Sequence, residues 1–517
     1  MPAKIVSRDR LSSRAWLLAT VFVTGACVLA LEIFGTRIIA PFYGSTIYVW
    51  SSLITVTLAA LAVGYGVGGV VADRARDERW LWGAMVGAGF WIIFIPAARA
   101  WVMQAAYPLG VALGALTSAL VLFAAPLALL GSVGPQVIRR FSQDVEHVGR
   151  AVGHVYAVST FGSVAGALLA GFWLVSLAGM QTLTMGLGMV LLAWGAIGWW
   201  KLQRAISVVC ALATGAALWP LLTPAPKTAS NLIFNRESPY GQIKVVDQGG
   251  IRYLLIDGVS QSSLNLRTGR SDHGYVHFME GFFLARLAPK RALVIGLGGG
   301  DLPRLLEKSY GITTDSVEID PVVAQVARQF FGYESGAGEL RLQDGRQYLR
   351  RRPDAYYDFV IMDAFGGDRQ PPHLATLEFF DQAKRVLKAD GLLMVNMIGL
   401  TSSRRTLPWE SLSRTMGQVF AQTRAFALNE DGDEVANVVL IASDEAISEQ
   451  ESLDRVSLEA REAWRRTFPQ ELTPEPLRLA AAPIYSDDYC PFDIQSARAI
   501  DYLRAQLIKN RMGVLLF

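Results

Sequence analysis

The stretch "VIGLGGGDLPRLL", residues 294–306, decides how the C-terminal half is read. A short apolar run ends in Gly298-Gly299-Gly300-Asp301 and gives way to helical spacing, a strand–loop–helix step. Working outward, "RALVIGLGGGD", "TTDSVEID", "GELRLQDGRQYL", "YDFVIMDAF" and "GLLMVNMIG" are short apolar strands separated by helical stretches. That rhythm predicts a mostly parallel, doubly wound α/β sheet of Rossmann-like type, with its ligand beyond the carboxyl ends of the strands. Upstream, "SPYGQIKVVDQGGIRYLLIDGVSQSS" (238–263) alternates around a Gly-Gly turn and predicts a small antiparallel β-sheet. Between the two, "GYVHFMEGFFLARLA" (274–288) predicts a helix.

The polar punctuation falls at the strand ends. Gly298, Gly299 and Gly300 let a backbone come close to a ligand. Glu318 ends the next strand, where an acid can take both hydroxyls of a ribose. Asp344-Gly345 follows the third strand, placed to accept from an exocyclic adenine amine. The loop is not the six-residue dinucleotide fingerprint, and no Lys-Ser/Thr follows it, which excludes a P-loop. The ordered set points to an adenosyl ligand without phosphates, S-adenosylmethionine or a relative.

The first 220 or so residues are a different kind of chain. Seven apolar runs, 15–36, 46–72, 80–98, 107–131, 152–178, 181–200 and 205–222, are long enough to consider as membrane spans. The glycines in "GYGVGG" (64–69), with Gly162, Gly166 and Gly171, either bring helix backbones together or are simply tolerated in lipid. Basic residues before the first run and after the second, fourth and sixth place the N-terminus inside. Seven crossings would leave the polar half outside; the seventh run, near the lower limit for a span, is read as re-entrant or interfacial. Glu32 and His154 are ionisable groups in or beside spans, either functional or in structural pairs. A net charge of +3 is too small to argue for nucleic acid, and the three cysteines have no metal-ligand spacing. No cleavable signal peptide is read from the N-terminal run.

Residues 238–400 resemble the spermidine synthases (polyamine aminopropyltransferases), and the two-part layout resembles bacterial membrane-fused members of that group. The resemblance rests on "YGQI" (240–243), "IDGVSQ" (256–261), "GYVHFME" (274–280), "GGGD" (298–301), "VEID" (317–320), "DG" (344–345) and "MDAF" (362–365). It implies a multi-span α-helical membrane bundle (1–225) fused to a catalytic domain (226–517). That domain would have the α/β fold of adenosylmethionine-dependent methyltransferases. It implies S-adenosylmethionine or its decarboxylated form as substrate, no prosthetic group and release of methylthioadenosine. Gln242 would touch the nucleoside sulfonium, Glu318 its ribose, and Asp344 with Gly345 the adenine. Asp301 would hold the amine of the transferred chain, Tyr275 and His277 would line the substrate site, and Asp363 would be the base for the attacking amine. Partners would be a nucleoside sulfonium, a polyamine and the lipid bilayer, with room for a homodimer. The location would be a bacterial inner membrane, with the catalytic domain facing the cytoplasm.

The sequence departs from that family at the acceptor end. Its Asp-x-x-Asp-Pro reads "DAFGGDRQPPHL", with Gly366 at the second acid, and Phe278 stands where the family has Glu. Asp368, or Asp487 and Asp488 in "YSDDYCPFD", are the candidate replacements. Three functions stay open: aminopropyl transfer to an amine, cleavage of the sulfonium without an amine, and a transporter or sensor that only binds the nucleoside.

Overall fold

The computed structural model describes residues 8–44, 47–75, 77–141, 148–200, 231–283, 289–401, 407–428, 435–447 and 455–492, with 494–496, 499, 500, 502 and 504 beyond. The chain divides into two compact units, Met1–Thr228 and Ala229–Leu516.

The first unit is helical: α1 (Arg8–Tyr43), α2 (Ile47–Arg74), α3 (Arg79–Ala106), α4 (Gly110–Gly131), α5 (Val133–Phe141), α6 (Val148–Leu169), the short α7 (Val175–Leu177) and α8 (Met180–Trp200). Among the described residues five helical stretches are long and apolar enough to cross a membrane: 14–43, 47–74, 79–141, 148–174 and 180–199. The third is 63 residues long and contains both α3 and α4, so these stretches cover six of the seven predicted runs. The seventh, 205–222, lies outside the described residues.

The predicted glycines separate into two groups. A Cβ on Gly162 or Gly166 would lie 2.1 or 2.2 Å from carbonyl oxygens of α1. One on Gly64 would meet the Ala128 carbonyl of α4 at 2.3 Å, and one on Gly68 the Ser132 carbonyl just beyond α4 at 2.5 Å. These four let backbones touch, whereas Gly66, Gly69 and Gly171 face open space. Spacing of four residues puts each pair on one face of its own helix, Gly64 and Gly68 on α2 and Gly162 and Gly166 on α6. Glu32 is half-buried on α1 and His154 exposed on α6.

The second unit opens with an antiparallel meander, β1 (Leu232–Glu237), β2 (Gln242–Gln248), β3 (Ile251–Ile256) and β4 (Val259–Asn265). Gly249-Gly250 turns between β2 and β3, and Asp257-Gly258 between β3 and β4. All four residues sit at positive φ, as two-residue hairpins require. After α9 (Gly274–Glu280) the chain builds the main sheet. It alternates β5 (Arg291–Ile295), α10 (Asp301–Tyr310), β6 (Thr313–Glu318), α11 (Pro321–Phe330), β7 (Leu340–Leu342), α12 (Gly345–Arg350), β8 (Tyr357–Met362), α13 (Leu377–Val386) and β9 (Leu387–Leu400). It continues with α14 (Pro408–Met416), β10 (Gln422–Leu428), β11 (Val435–Ser443), α15 (Leu458–Thr467) and α16 (Pro476–Ala481). The strand order is β10-β11-β9-β8-β5-β6-β7, parallel from β9 to β7, with β11 antiparallel to both neighbours.

Both faces of the sheet are covered, which is why its central strands read as unbroken apolar runs. Leu293, Ile295, Val360 and Met362 point to a core with Phe379 of α13 and Leu412 of α14. The alternate residues Ala292, Val294, Phe359 and Ile361 point to a second core with Phe278, Leu306 and Trp464. Of the predicted helix at 274–288, Gly274–Glu280 is helical and 281–283 form a turn, while 284–288 lie outside the described residues. Gly281 follows, and a Cβ there would run into the Trp464 ring at 2.3 Å.

Candidate active site

β6 and β7 lie on one side of β5, β8 and β9 on the other, so a crevice opens beyond the ends of β5 and β8. Gly296 draws those ends together. At φ 94° its Cβ would sit 2.2 Å from the Asp363 carbonyl oxygen, so only glycine fits. The rim is then stitched by the Asp363 N–H to the Ile295 carbonyl and the Gly296 N–H to the Val317 carbonyl, both at 2.9 Å.

The crevice holds a cavity of about 340 Å³, large enough for a small ligand. Gly298, Glu318, Asp344, Gly345 and Asp363 line it, joined by Tyr240, Ile256 and Gln261 from the meander. Polar contacts at the crevice help to fix the meander over it. Ser262 Oγ accepts the Gly299 N–H at 2.8 Å, Gln261 Nε2 donates to the Gly367 carbonyl at 2.7 Å, and Ser238 Oγ donates to Asp320 Oδ2 at 2.5 Å.

Three carboxylates at the strand ends have three environments. Glu318 is buried and accepts the Asp320 N–H at 2.8 Å and the Leu297 N–H at 3.0 Å. Burial pushes its pKa up, and the two N–H groups oppose that shift. Asp344 is held low, first by a 2.7 Å hydrogen bond with His373 Nε2, while its other oxygen caps α12 through the Gln347 N–H at 2.9 Å. Asp363 is different. Burial raises its pKa to about 6, although Asn396 Nδ2 donates to one oxygen at 2.9 Å and the Tyr275 hydroxyl to the other at 2.8 Å. The Tyr275 phenol, itself buried, is pushed well above its usual range and stays a donor. A carboxylate poised near neutrality, with both oxygens held by donors, can take a proton from a bound group.

Residues 274–429 match the spermine/spermidine synthase domain family. The C-terminal unit is spermidine synthase-like. Over 292 residues the chain is 29% identical to a polyamine aminopropyltransferase of Vibrio vulnificus (strain CMCP6), covering 54% of this chain and 96% of that one. Over 164 residues it is 36% identical to an N-terminal histidine N-methyltransferase of Emericella nidulans, covering 30% of this chain and 28% of that one. Among solved structures, a probable spermidine synthase from Corynebacterium glutamicum ATCC 13032 aligns with a TM-score of 0.42 at 22% identity, covering 49% of this chain and 96% of that one.

The spermidine synthase-like unit places the remaining predicted residues unevenly. Gly299 and Gly300 lie behind the cavity wall, where added Cβ atoms would strike the rings of Phe331 at 2.9 Å and Tyr333 at 2.5 Å. Gln242 does not line the cavity; its backbone N–H is held by Asp257 Oδ1 at 2.9 Å, and Tyr240 and Gln261 stand at the wall instead. Asp301 is buried against Arg304 and lines a second cavity with His277. His277 donates from Nε2 to the Ser271 carbonyl at 2.8 Å.

Two of the three candidate acids at the acceptor end, Asp368 and Asp487, are engaged elsewhere. Phe278 is buried among Phe282, Phe426 and Trp464, with ring centroids 5.2–5.7 Å apart. Gly366 lines the cavity and has open space where a side chain would begin. Asp368 is buried in an ion pair with Arg504 at 2.6 Å. Asp487 is taken by Arg346 in a bidentate pair at 2.6 and 2.7 Å and by the Thr376 hydroxyl, and Asp488 is exposed.

Sequence reading missed Tyr240, Gln261, His373 and Asn396. Asn396 left a signal as the one polar residue inside the apolar run "GLLMVNMI", and Tyr240 and Gln261 stand in "YGQI" and "IDGVSQ", where neither was given a role.

Proposed function

We propose that the chain is a membrane-anchored enzyme that cleaves S-adenosylmethionine or its decarboxylated form and passes the aminoalkyl chain to an amine. The observation that carries this is Asp363, lining the nucleoside-sized cavity with Glu318 and held by Tyr275 and Asn396. In this reading Glu318 takes the ribose hydroxyls and Asp344 with Gly345 the adenine edge. Asp363 accepts a proton from the amine as its nitrogen attacks the carbon next to sulfur. The carbon–sulfur bond breaks, and neutral methylthioadenosine leaves. Orienting an already activated sulfonium supplies much of the rate. The similarity to aminopropyltransferases supports transfer chemistry. The five apolar helical stretches support insertion in the inner membrane.

A second reading is favoured by the acceptor end, where no carboxylate occupies position 278 or 366 and Asp368 and Asp487 are engaged. Here the carboxylate of intact S-adenosylmethionine attacks its own chain, giving methylthioadenosine and a lactone with no proton to remove. The test is methylthioadenosine release by full-length protein in detergent, with and without millimolar putrescine. Dependence on the diamine, with a matching amount of spermidine, establishes transfer. A rate that putrescine changes less than about tenfold establishes the second reading, because a second ammonium without a carboxylate costs several kcal/mol. No product under either condition leaves only binding.

A further inference from the structure

The C-terminal motif "YSDDYCPFD" (485–493) takes no part in the proposed chemistry, yet its Asp487 holds Arg346 in a bidentate pair at 2.6 and 2.7 Å. Arg346 directly follows Gly345 at the start of α12, and its side chain is only 8% exposed. The same guanidinium donates from Nη1 to the His373 carbonyl at 3.3 Å. Asp487 also accepts the Thr376 hydroxyl at 2.9 Å, and the nearby Tyr485 carbonyl accepts the Leu377 N–H at 2.8 Å. Arg346 and Asp487 therefore tie the start of α12 to the segment 371–378.

Those two segments carry one end of the nucleoside-sized cavity. Asp344 and Gly345 line it from the first, and Pro371, His373 and Leu374 from the second. The two walls touch where His373 Nε2 meets Asp344 Oδ2 at 2.7 Å, which closes the cavity there. That contact is made by a half-exposed imidazole. The joint behind it is firmer, because a guanidinium–carboxylate fork fixes distance and angle together. Without Asp487 the enclosed guanidinium would lose its carboxylate, and the segment 371–378 would lose its anchor on α12.

A closed end has a consequence for the ligand. A bare exocyclic amine can donate to Asp344 without parting the walls, whereas a group carried on that nitrogen must pass between Asp344 and His373. We propose that Arg346 and Asp487 are positioning residues that hold this end shut, so that the site takes a 6-aminopurine nucleoside with a bare amine and rejects one whose amine is substituted. The inference rests on the nucleoside reading of the cavity, with the base edge at Asp344, and adds a specificity to it.

The probes are methylthioadenosine and its derivative benzylated on the exocyclic amine, titrated calorimetrically into full-length protein in detergent. The unmodified protein should bind methylthioadenosine tighter by about tenfold or more. Asp487→Asn keeps the shape of the side chain and removes its charge. It should shrink that margin by about threefold or more, weakening methylthioadenosine while admitting the derivative. Arg346→Lys keeps a charge without the fork and should do the same, even if the Asp487 variant fails to fold. A purely structural role would weaken both ligands alike and leave the margin unchanged. Equal binding of the two probes by the unmodified protein, or a margin that survives both substitutions, overturns the proposal. Methylthioadenosine that does not bind the unmodified protein overturns the nucleoside reading beneath it, a distinct result.

Discussion

At the residue scale the proposed chemistry turns on Asp363. Its carboxyl is raised to about 6 by burial, and only the ionised form can take a proton. Methylthioadenosine formation by transfer should therefore hold level above pH 6 and fall about tenfold per unit below it, measured as kcat/KM. Asn396→Leu removes one of the two donors to that carboxylate, so the acid limb should move to higher pH. An unmoved limb would assign the titration to another group. Asp363→Asn should keep nucleoside affinity and lower turnover by about two orders of magnitude, the scale of a lost general base. Glu318→Gln should weaken methylthioadenosine binding by tenfold or more in calorimetry, since charge-assisted bonds contribute about 1.5–3 kcal/mol each. Equal affinity in a folded Glu318 variant would remove the ribose assignment. Glu318, Asp344 and Asp363 were legible because each stands at or just beyond a strand end, Asp344 two residues after Leu342. Tyr240, Gln261 and His373 were not, because they reach the cavity through contacts between segments distant in sequence.

At the element scale the parallel strands and the meander followed from their periodicity, but β10 and β11 did not. An antiparallel pair added after β9 breaks the strand–helix alternation on which the reading relied. The glycine loop shows a second limit. The three glycines were read as making room for a ligand, whereas Gly299 and Gly300 make room for Phe331 and Tyr333, and the essential close approach belongs to Gly296. Pattern identifies a glycine that must be small without saying what it must be small for. Gly296→Ala should therefore lower stability by about 1–3 kcal/mol, the usual range for overpacking. It should also cost activity beyond that loss, because its Cβ displaces the backbone that carries Asp363. A melting curve and a turnover assay on the same preparation check both effects. An unchanged melting temperature with full activity would mean that the β5–β8 junction relaxes freely.

At the scale of the whole molecule, the question is which side of a membrane the catalytic unit faces. Gly110, at φ 78°, ends the short turn between α3 and α4 and breaks the 63-residue stretch into two apolar helices, giving six prospective crossings among the described residues. The basic residues agree with that count. Arg74 and Arg79 flank the connection from α2 to α3, and Arg139, Arg140 and Arg150 the one from α5 to α6, whereas the alternate connections at 44–46, 107–109 and 178–179 carry no basic residue, Arg37 and Arg99 lying within α1 and α3. On the membrane reading proposed above, an N-terminus inside and an even number of crossings would put the C-terminal unit inside too. The run 205–222 decides the parity, since a full crossing there would export the catalytic unit away from its substrate. We therefore expect the chain to stay with bacterial membranes through alkaline carbonate extraction. A C-terminal green fluorescent reporter should fluoresce, and a C-terminal alkaline phosphatase should be inactive. The reverse pair of reporter results would make 205–222 a true span and place the catalytic unit outside. A substrate supplied across the membrane would then be required, and the helical unit would have to be considered as its route.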